Sequence, residues 1–417
     1  MSDVEIVHPV PVEEVAGWVE TMAITFLENP ADEQHRNWID TLRRDWLPDR
    51  FWGARDRGNW VGTLGSWPYH LTVPGSDTTL SADGLTMVTV AGTHRRRGLL
   101  TTMLTDSLHA ARDRGDAVSI LWAAEWAIYW RFGYAPATTT AYYELSPRSP
   151  GASLSPSGEG TVRRVGAAEL GSLATDIFAR AAQHRAGNID RSRGWWQRQL
   201  GLDGYPDNPY NGKVRNHVLH EGPDGPDGFV TWVPGSTDSA ETGTIEVLDL
   251  CAATDAAYRN LWAYISSLDL VDQITTHRRP IDEPVRWLLG NARALRLSYY
   301  ADGLWLRLLD VPAALSTRRY AVSDRLVLEI VDDDIGGFAA GRYVLDGGPD
   351  GAKCLPSTVD TPDLRLHQRA LAAAYLGGNS LHSQLIAGRV DELTAGALRR
   401  ADAMFATPVA PWCATGF

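Results

Sequence analysis

Cysteine is scarce in this chain: Cys251, Cys354 and Cys413 are the only three among 417 residues, odd in number and far apart. A disulfide framework and a cysteine-rich metal site are therefore unexpected, and a reducing cytoplasm is the expected compartment. No apolar run is long enough to span a bilayer. Met1-Ser2-Asp3-Val4-Glu5 is acidic where a signal peptide needs a basic start, so neither membrane insertion nor export is expected. The histidines lack the HExxH pattern, and no metal is expected. Positive charge is also short, with 39 Lys and Arg against 51 Asp and Glu and a formal net charge of -12. Without a second basic cluster there is no broad phosphate-binding face, which argues against nucleic acid as a partner.

What is present describes packed structure. The apolar fraction of 44% and the 16 Trp argue against extensive disorder, and 417 residues suffice for two or three domains, each with its own core.

One stretch carries chemistry. Met87-Val88-Thr89-Val90 reads as extended, Ala91-Gly92-Thr93 leads into His94-Arg95-Arg96-Arg97-Gly98, and an amphipathic run starts at Leu99. Leu99, Met103, Leu104, Leu108 and Ala111 follow a helical period, Gly115 stands as a helix stop, and Val118–Trp122 reads as the next strand. Strand, basic glycine turn, helix, strand is the order of an anion cradle, in which N–H groups at a helix start meet a phosphate that a glycine lets approach. The sequence is neither a Walker loop, since no Gly-Lys-Ser/Thr follows, nor a GxGxxG turn. The competing reading is a solvated charged loop.

Punctuation divides the rest. Ser146-Pro147-Arg148-Ser149-Pro150-Gly151 through Ser155-Pro156-Ser157-Gly158 reads as a linker, and a second change follows Val311-Pro312. Beyond it, Arg325–Val331 reads as a strand, with helical stretches at Leu366–Tyr375 and Thr394–Phe405. Val247-Leu248-Asp249-Leu250, followed by Cys251–Tyr258 and a helical run to Leu268, echoes the opening feature. There Tyr258 replaces Gly98 and Asp255-Ala256-Ala257 replaces the arginines, so a duplicated domain would have lost its cradle.

Val88-Thr89-Val90, Arg95-Arg96-Arg97-Gly98-Leu99 and Ile128-Tyr129-Trp130-Arg131-Phe132-Gly133-Tyr134 resemble the acetyl-CoA motifs of the GNAT superfamily of N-acetyltransferases. Thr93–Leu100 together with Ile128–Tyr134 narrows the resemblance to Eis-like acetyltransferases. Leu100 stands where the wider superfamily carries a small residue, and Eis-like sequences share that departure. The resemblance implies an α/β (α+β) chain with a catalytic GNAT domain at 1–148, a degenerate GNAT domain at 149–305 and a sterol-carrier-protein-like domain at 306–417. Its specific motifs lie almost entirely within residues 85–140.

The resemblance also implies roles. Val88, Thr89, Val90, Arg96, Arg97, Gly98, Leu99, Leu100, Thr101, Ala124 and Glu125 would bind acetyl-CoA, with a bulge near Val88 offering a backbone N–H to the acetyl oxygen. Tyr129 would protonate the leaving thiolate. Taken without the motif, it reads as core packing. Phe26, Glu28 and Trp38 would line the pocket for a cationic amine, although each alone reads as core or helix-end surface. The carboxylate of Phe417 would act as base or orient the amine, the competing reading of Pro408–Phe417 being a frayed tail. An α-carboxylate is a weak base at neutral pH, so burial must raise its pKa or a water must relay the proton. Relatives carry an acidic residue where Gly416 stands, which leaves aminoglycosides, polyamines and lysine ε-amines all open as acceptors. A cytoplasmic homo-oligomer is expected, hexameric by resemblance. Two other readings remain: a catalytically weak protein binding coenzyme A, or an apolar ligand in the sterol-carrier-like domain, and a structural subunit that happens to bind coenzyme A.

Overall fold

The computed structural model describes residues 4–31, 33–75, 77, 79–202, 214–235, 243–332 and 334–417; Met1, Ser2 and Asp3 of the acidic start lie outside them. The described residues form three sheets and two compact units. The first unit comprises 1–138, 303–411 and 416–417, and the second comprises 139–302 and 412–415.

In the first unit the strands are β1 (Glu5–Val7), β2 (Phe51–Asp56), β3 (Asn59–Thr72), β4 (Thr79–Val90), β5 (Val118–Trp122) and β6 (Ala135–Pro136). The second unit holds β7 (Thr139–Leu145), β8 (Thr161–Val165), β9 (Asn216–Gly222), β10 (Gly225–Pro234), β11 (Gly243–Ala252), β12 (Val271–Arg279) and β13 (Leu295–Asp302). The chain then returns to the first unit as β14 (Leu304–Leu308), which inserts between β5 and β6, giving the order β1-β2-β3-β4-β5-β14-β6. The second sheet runs β13-β7-β12-β11-β10-β9-β8.

The borders expected at 148 and 305 thus meet strands that cross over: Thr139–Leu145 lies in the second unit and Leu304–Leu308 in the first. Exit and return are tied, because Leu304 N–H donates to Thr138 Oγ1 at 2.7 Å and Gly303 N–H to the Thr138 carbonyl at 2.9 Å.

Helices α1 (Val15–Thr25), α2 (Glu33–Arg44), α3 (Leu99–Asp113) and α4 (Trp126–Trp130) serve the first sheet, and α5 (Ala167–Ala182), α6 (Arg193–Leu200), α7 (Asp255–Ser266) and α8 (Val285–Leu288) the second. The helix expected behind Gly98 is present as α3, with Leu99, Met103, Leu104, Leu108 and Ala111 all buried on one stripe.

The remaining part of the first unit has β15 (Asp324–Val331), β16 (Gly341–Gly348), β17 (Gly351–Pro356), β18 (Leu364–His367) and β19 (Val390–Glu392), with α9 (Val311–Thr317), α10 (Gln368–Ala374), α11 (Leu381–Ile386) and α12 (Ala397–Phe405). Here the expected helix at Leu366–Tyr375 starts later. Leu364 and Leu366 are buried and Arg365 exposed, a period of two, so this segment pairs with β15 and the helix opens at Gln368.

Candidate active site

The site is built where two parallel strands part. β4 and β5 pair at Ala82–Val118, Asp83–Ser119 and Gly84–Ile120; β4 then continues to Val90 without β5. At the apex, fully buried Asp83 accepts from Arg50 Nη1 at 2.8 Å and Arg114 Nη2 at 3.0 Å. Burial outweighs both cations and pushes its carboxyl up to about 6. Ser119 Oγ donates to the Asp83 carbonyl at 3.2 Å and shares a 2.6 Å hydrogen bond with the Tyr134 hydroxyl.

Past the apex, β4 bulges. Its register with β3 shifts between Thr63–Thr89 and Gly65–Thr86, leaving Met87 and Val88 opposite Leu64, and Met87 takes φ 55°. A bulge turns one backbone N–H out of the ladder. The Thr89 side chain points into the packed face, its hydroxyl 2.6 Å from that of Thr63, and Val88 and Val90 are half-buried. What Val88, Thr89 and Val90 have in common at the opening is backbone rather than side chain.

The basic turn follows. Arg96 has φ 62° and Gly98 φ 81°, so two left-handed residues bracket Arg97 and lead into α3. Among the described residues no side chain caps the helix: its first intrahelical bond runs from Thr102 N–H to the Gly98 carbonyl at 3.0 Å, after the N–H groups of Leu99, Leu100 and Thr101. Such groups are donors for an anion. A Cβ built on Gly98 meets no atom within 4 Å, so the mouth of the turn is open, and Arg95, Arg96, Arg97 and Thr101 are exposed around it. Leu99 is core and Leu100 half-buried. His94, which the sequence places in the basic run, is instead an anchor: its Nε2 meets Asp56 on β2 at 3.1 Å and its Nδ1 meets Thr93 Oγ1 at 2.8 Å.

Beyond β5, Ala124 and Glu125 are exposed and Glu125 flanks the N-terminus of α4. Tyr129 is 8% exposed, and its hydroxyl has no hydrogen-bond partner among the described residues. Burial, helped by the Glu125 charge, pushes that phenol up to about 12, so it stays protonated throughout the neutral range.

Phe417 is not frayed. Its ring lies 4.8 Å from Tyr69 on β3, and a Cβ on Gly84 would stand 3.1 Å from it, which places it against β3 and β4 close to the apex. Tyr69 and Gly84 are contacts that no local pattern announces. Trp38 packs among Trp18, Phe51 and Met87, so it shares a cluster with the bulge residue. Glu28 Oε2 meets His35 Nε2 at 2.9 Å, with the His35 side chain 4% exposed and that of Glu28 47% exposed. Phe26 ends α1, 46% exposed. Among the described residues no group of three or more His, Cys, Asp or Glu could hold a metal ion, and no helix is long and apolar enough to cross a membrane.

A sheet whose parallel strands part just before a bulge, with a helix entered through an uncapped glycine turn, defines the acyltransferase class built on the GNAT fold. Sequence profiles agree: the Acetyltransferase (GNAT) domain matches residues 7–137 and again 187–308, and the Sterol carrier protein domain matches 311–414. An uncharacterized N-acetyltransferase of Streptomyces griseus is 36% identical over 428 residues, covering 99% of this chain and 98% of its own. N-acetyltransferase Eis of Mycobacterium tuberculosis is 33% identical over 367 residues, 86% of each chain. The crystal structure of Eis1 from Mycobacterium abscessus superposes with a TM-score of 0.85 at 32% identity, covering 100% of both chains. The chain belongs to the Eis-like family of GNAT N-acetyltransferases: it is an enzyme, an acyltransferase with two GNAT domains and a sterol-carrier-type domain.

Proposed function

We propose that this protein transfers the acetyl group of acetyl-CoA to a primary amine of a small cationic acceptor, an aminoglycoside, a polyamine or a lysine-type amine. The observation that carries the reading is the strand splay beyond Gly84, opening beside the uncapped helix start at Gly98. In that reading the N–H groups of Leu99, Leu100 and Thr101, with Arg96 and Arg97, hold the pyrophosphate, while Ala124 and Glu125 border the pantetheine arm.

The bound thioester supplies an activated acyl carbon. The amine nitrogen attacks that carbon, and the developing oxyanion is met by the N–H at the Val88 bulge. The C–S bond then breaks, and its electron pair stays on sulfur. Tyr129 O–H donates its proton to that sulfur. Burial penalises a phenolate strongly, and it penalises a thiolate in the same dry site, so the proton is retained until sulfur carries charge. The proton lost by the amine goes to the terminal carboxylate of Phe417, directly or through a water. The packing of Phe417 on Tyr69 near the strand apex supports that role. Exposed Glu28 and Phe26 suit the acceptor's positive charge through pairing and cation–π contact, while Trp38, part of the core cluster, shapes the pocket wall. A cytoplasmic, homo-oligomeric enzyme remains our proposal from family resemblance.

Coenzyme A release over a panel of aminoglycosides, polyamines and lysine peptides tests this. The parent should turn over at least one amine, and Tyr129→Phe should lose about a hundredfold or more in kcat. A short peptide added after Phe417 should also depress kcat, and parental activity in that extended chain rules out the carboxylate's role. Absence of turnover with every amine class defeats the proposal.

A further inference from the structure

Tyr129 sits in a helix that cannot hold itself. α4 has five residues and no side-chain cap, and a helix that short is not stable on its own. The turn behind it closes tightly: Phe132 N–H and Tyr134 N–H donate to the Tyr129 carbonyl at 3.0 and 3.2 Å, and Gly133 N–H to Trp130 at 3.1 Å, with Gly133 at φ 84°. That closure leaves the carbonyls of Phe132 and Gly133 pointing away from the helix.

Both are taken by residues far along the chain. Arg307 Nη1 donates to the Phe132 carbonyl and Gln368 Nε2 to the Gly133 carbonyl. Arg307 and Gln368 are both 0% exposed. Arg307 comes from β14, which returns to this sheet, and it also donates to the Ile335 carbonyl. Gln368 opens α10 in the sterol-carrier-type part. A Cβ on Gly133 would stand 2.7 Å from Asp334 Oδ2 and 2.8 Å from Arg307 Nη1, so the turn is fitted closely against this group. Trp130, next to Tyr129, lies under two cations of the sterol-carrier-type part: the guanidinium carbons of Arg369 and Arg389 are 5.4 and 4.6 Å from its ring centroid. Arg369 is itself paired with Asp334.

We propose that the sterol-carrier-type part of the first unit is a positioning device for the general acid, with its Gln368, beside Arg307 of β14, gripping the Phe132–Gly133 turn and thereby fixing where the Tyr129 hydroxyl points. This rests on the reading of Tyr129 as the acid. The grip is worth its burial only if the turn must not shift. Proton delivery to sulfur depends on a fraction of an ångström, and misplacement by about 1 Å costs up to about a hundredfold. It also assigns that part of the chain a task that needs no apolar ligand.

The test is a double-mutant cycle in the full chain, measuring kcat and the acetyl-CoA KM of the parent, Gln368→Ala, Tyr129→Phe and the double variant. Gln368→Ala should lower kcat about tenfold, leave the acetyl-CoA KM within twofold, and cost less than twofold more when Tyr129 is already Phe. A tenfold loss that persists in the Tyr129→Phe background overturns the proposal, because Gln368 then acts on something other than the acid. Parental kcat in Gln368→Ala, with Tyr129→Phe impaired, also overturns it and leaves the acid reading standing. Parental kcat in Tyr129→Phe removes the acid and the positioning device together. Should Gln368→Ala fail to fold, Arg389→Ala, at a half-buried side chain over Trp130, takes its place: a loss of about threefold absorbed by Tyr129→Phe is expected, and an unchanged kcat overturns the proposal.

Discussion

The two GNAT sheets of this chain part in the same way and end differently. In the first unit, β4 leaves β5 after Gly84, and no side chain among the described residues caps the helix that follows. In the second, β11 and β12 pair from Gly243–Val271 to Val247–Thr276 and then part too, but the gap is closed by protein. Arg279 Nη1 donates to the Leu250 carbonyl at 3.0 Å, and its Nε is held by buried Glu283 at 2.6 Å. The helix start is satisfied internally, since Thr254 Oγ1 accepts from Ala257 N–H at 3.1 Å and Asp255 puts a negative charge where an anion would sit. Tyr258, which the sequence sets opposite Gly98, lies one turn inside α7, whose cap is Thr254; it sends its hydroxyl to Glu283 and accepts from Val285 N–H at 2.9 Å. One fold thus does two jobs. Where the N–H groups and the strand edges are left unpaired there is a place for a ligand, and where side chains pair them there is only structure.

The largest effect that follows belongs to the closed copy. Arg279→Met strips the partner from a carboxylate that is 1% exposed, and the second unit should lose about 3–5 kcal/mol, read as a lower midpoint in denaturant. Acetyl-CoA binding in the first unit is the control that should survive at denaturant-free conditions. The mirror-image change, Gly98→Val in the open copy, places a β-branched residue at φ 81°, where only glycine is at ease. It should raise the acetyl-CoA KM about tenfold, roughly 1.4 kcal/mol, and cost about 1–3 kcal/mol of stability through backbone strain alone, since no atom lies within 4 Å of the new Cβ. A Gly98 variant with parental KM would break the comparison at its open end.

The smallest effect is a pH dependence that separates the two units. His217 of the second unit, 5% exposed and 2.9 Å from Thr231 Oγ1, is pushed down from 6.5 to about 4, first by burial and then by Arg215. The unfolded chain binds that proton below 6.5 and the folded chain only near 4, so stability from this site falls as pH drops through the interval. Asp83 of the first unit runs the other way. Folding raises its pKa from 3.8 to about 6, so its contribution falls as pH rises across that range. His217→Gln should flatten the acid-side loss of melting temperature between pH 7 and pH 4.5, and an equally steep loss in the variant assigns it elsewhere.

The open site was legible because its parts are local. Arg96, Arg97, Gly98 and the α3 stripe lie within a few turns of chain, whereas the expected match of Gly98 to Tyr258 was off by one turn, because the second helix is capped at Thr254 and Tyr258 lies inside it. Other features were not legible, for a physical reason. Arg307 meets Phe132 across 175 residues and Gln368 meets Gly133 across 235, and no local period encodes such pairings. His94 looks the same in sequence whether it faces an anion or Asp56, so the basic run hid an anchor. The crossover at Thr139–Leu145 was equally silent, since its pattern would serve as a strand in either sheet. Leu366–Tyr375 shows the opposite error, where a helical composition masked a two-residue alternation that had already committed Leu364–His367 to a sheet.

The central claim is that the chain has one open cradle and one closed one, and titration of the intact protein with coenzyme A, followed by calorimetry, tests it most directly. One site per chain, weakened about tenfold in Gly98→Val and unchanged in Tyr258→Phe, is the expected result. Two sites per chain, or a single site that Gly98→Val leaves untouched, would contradict it.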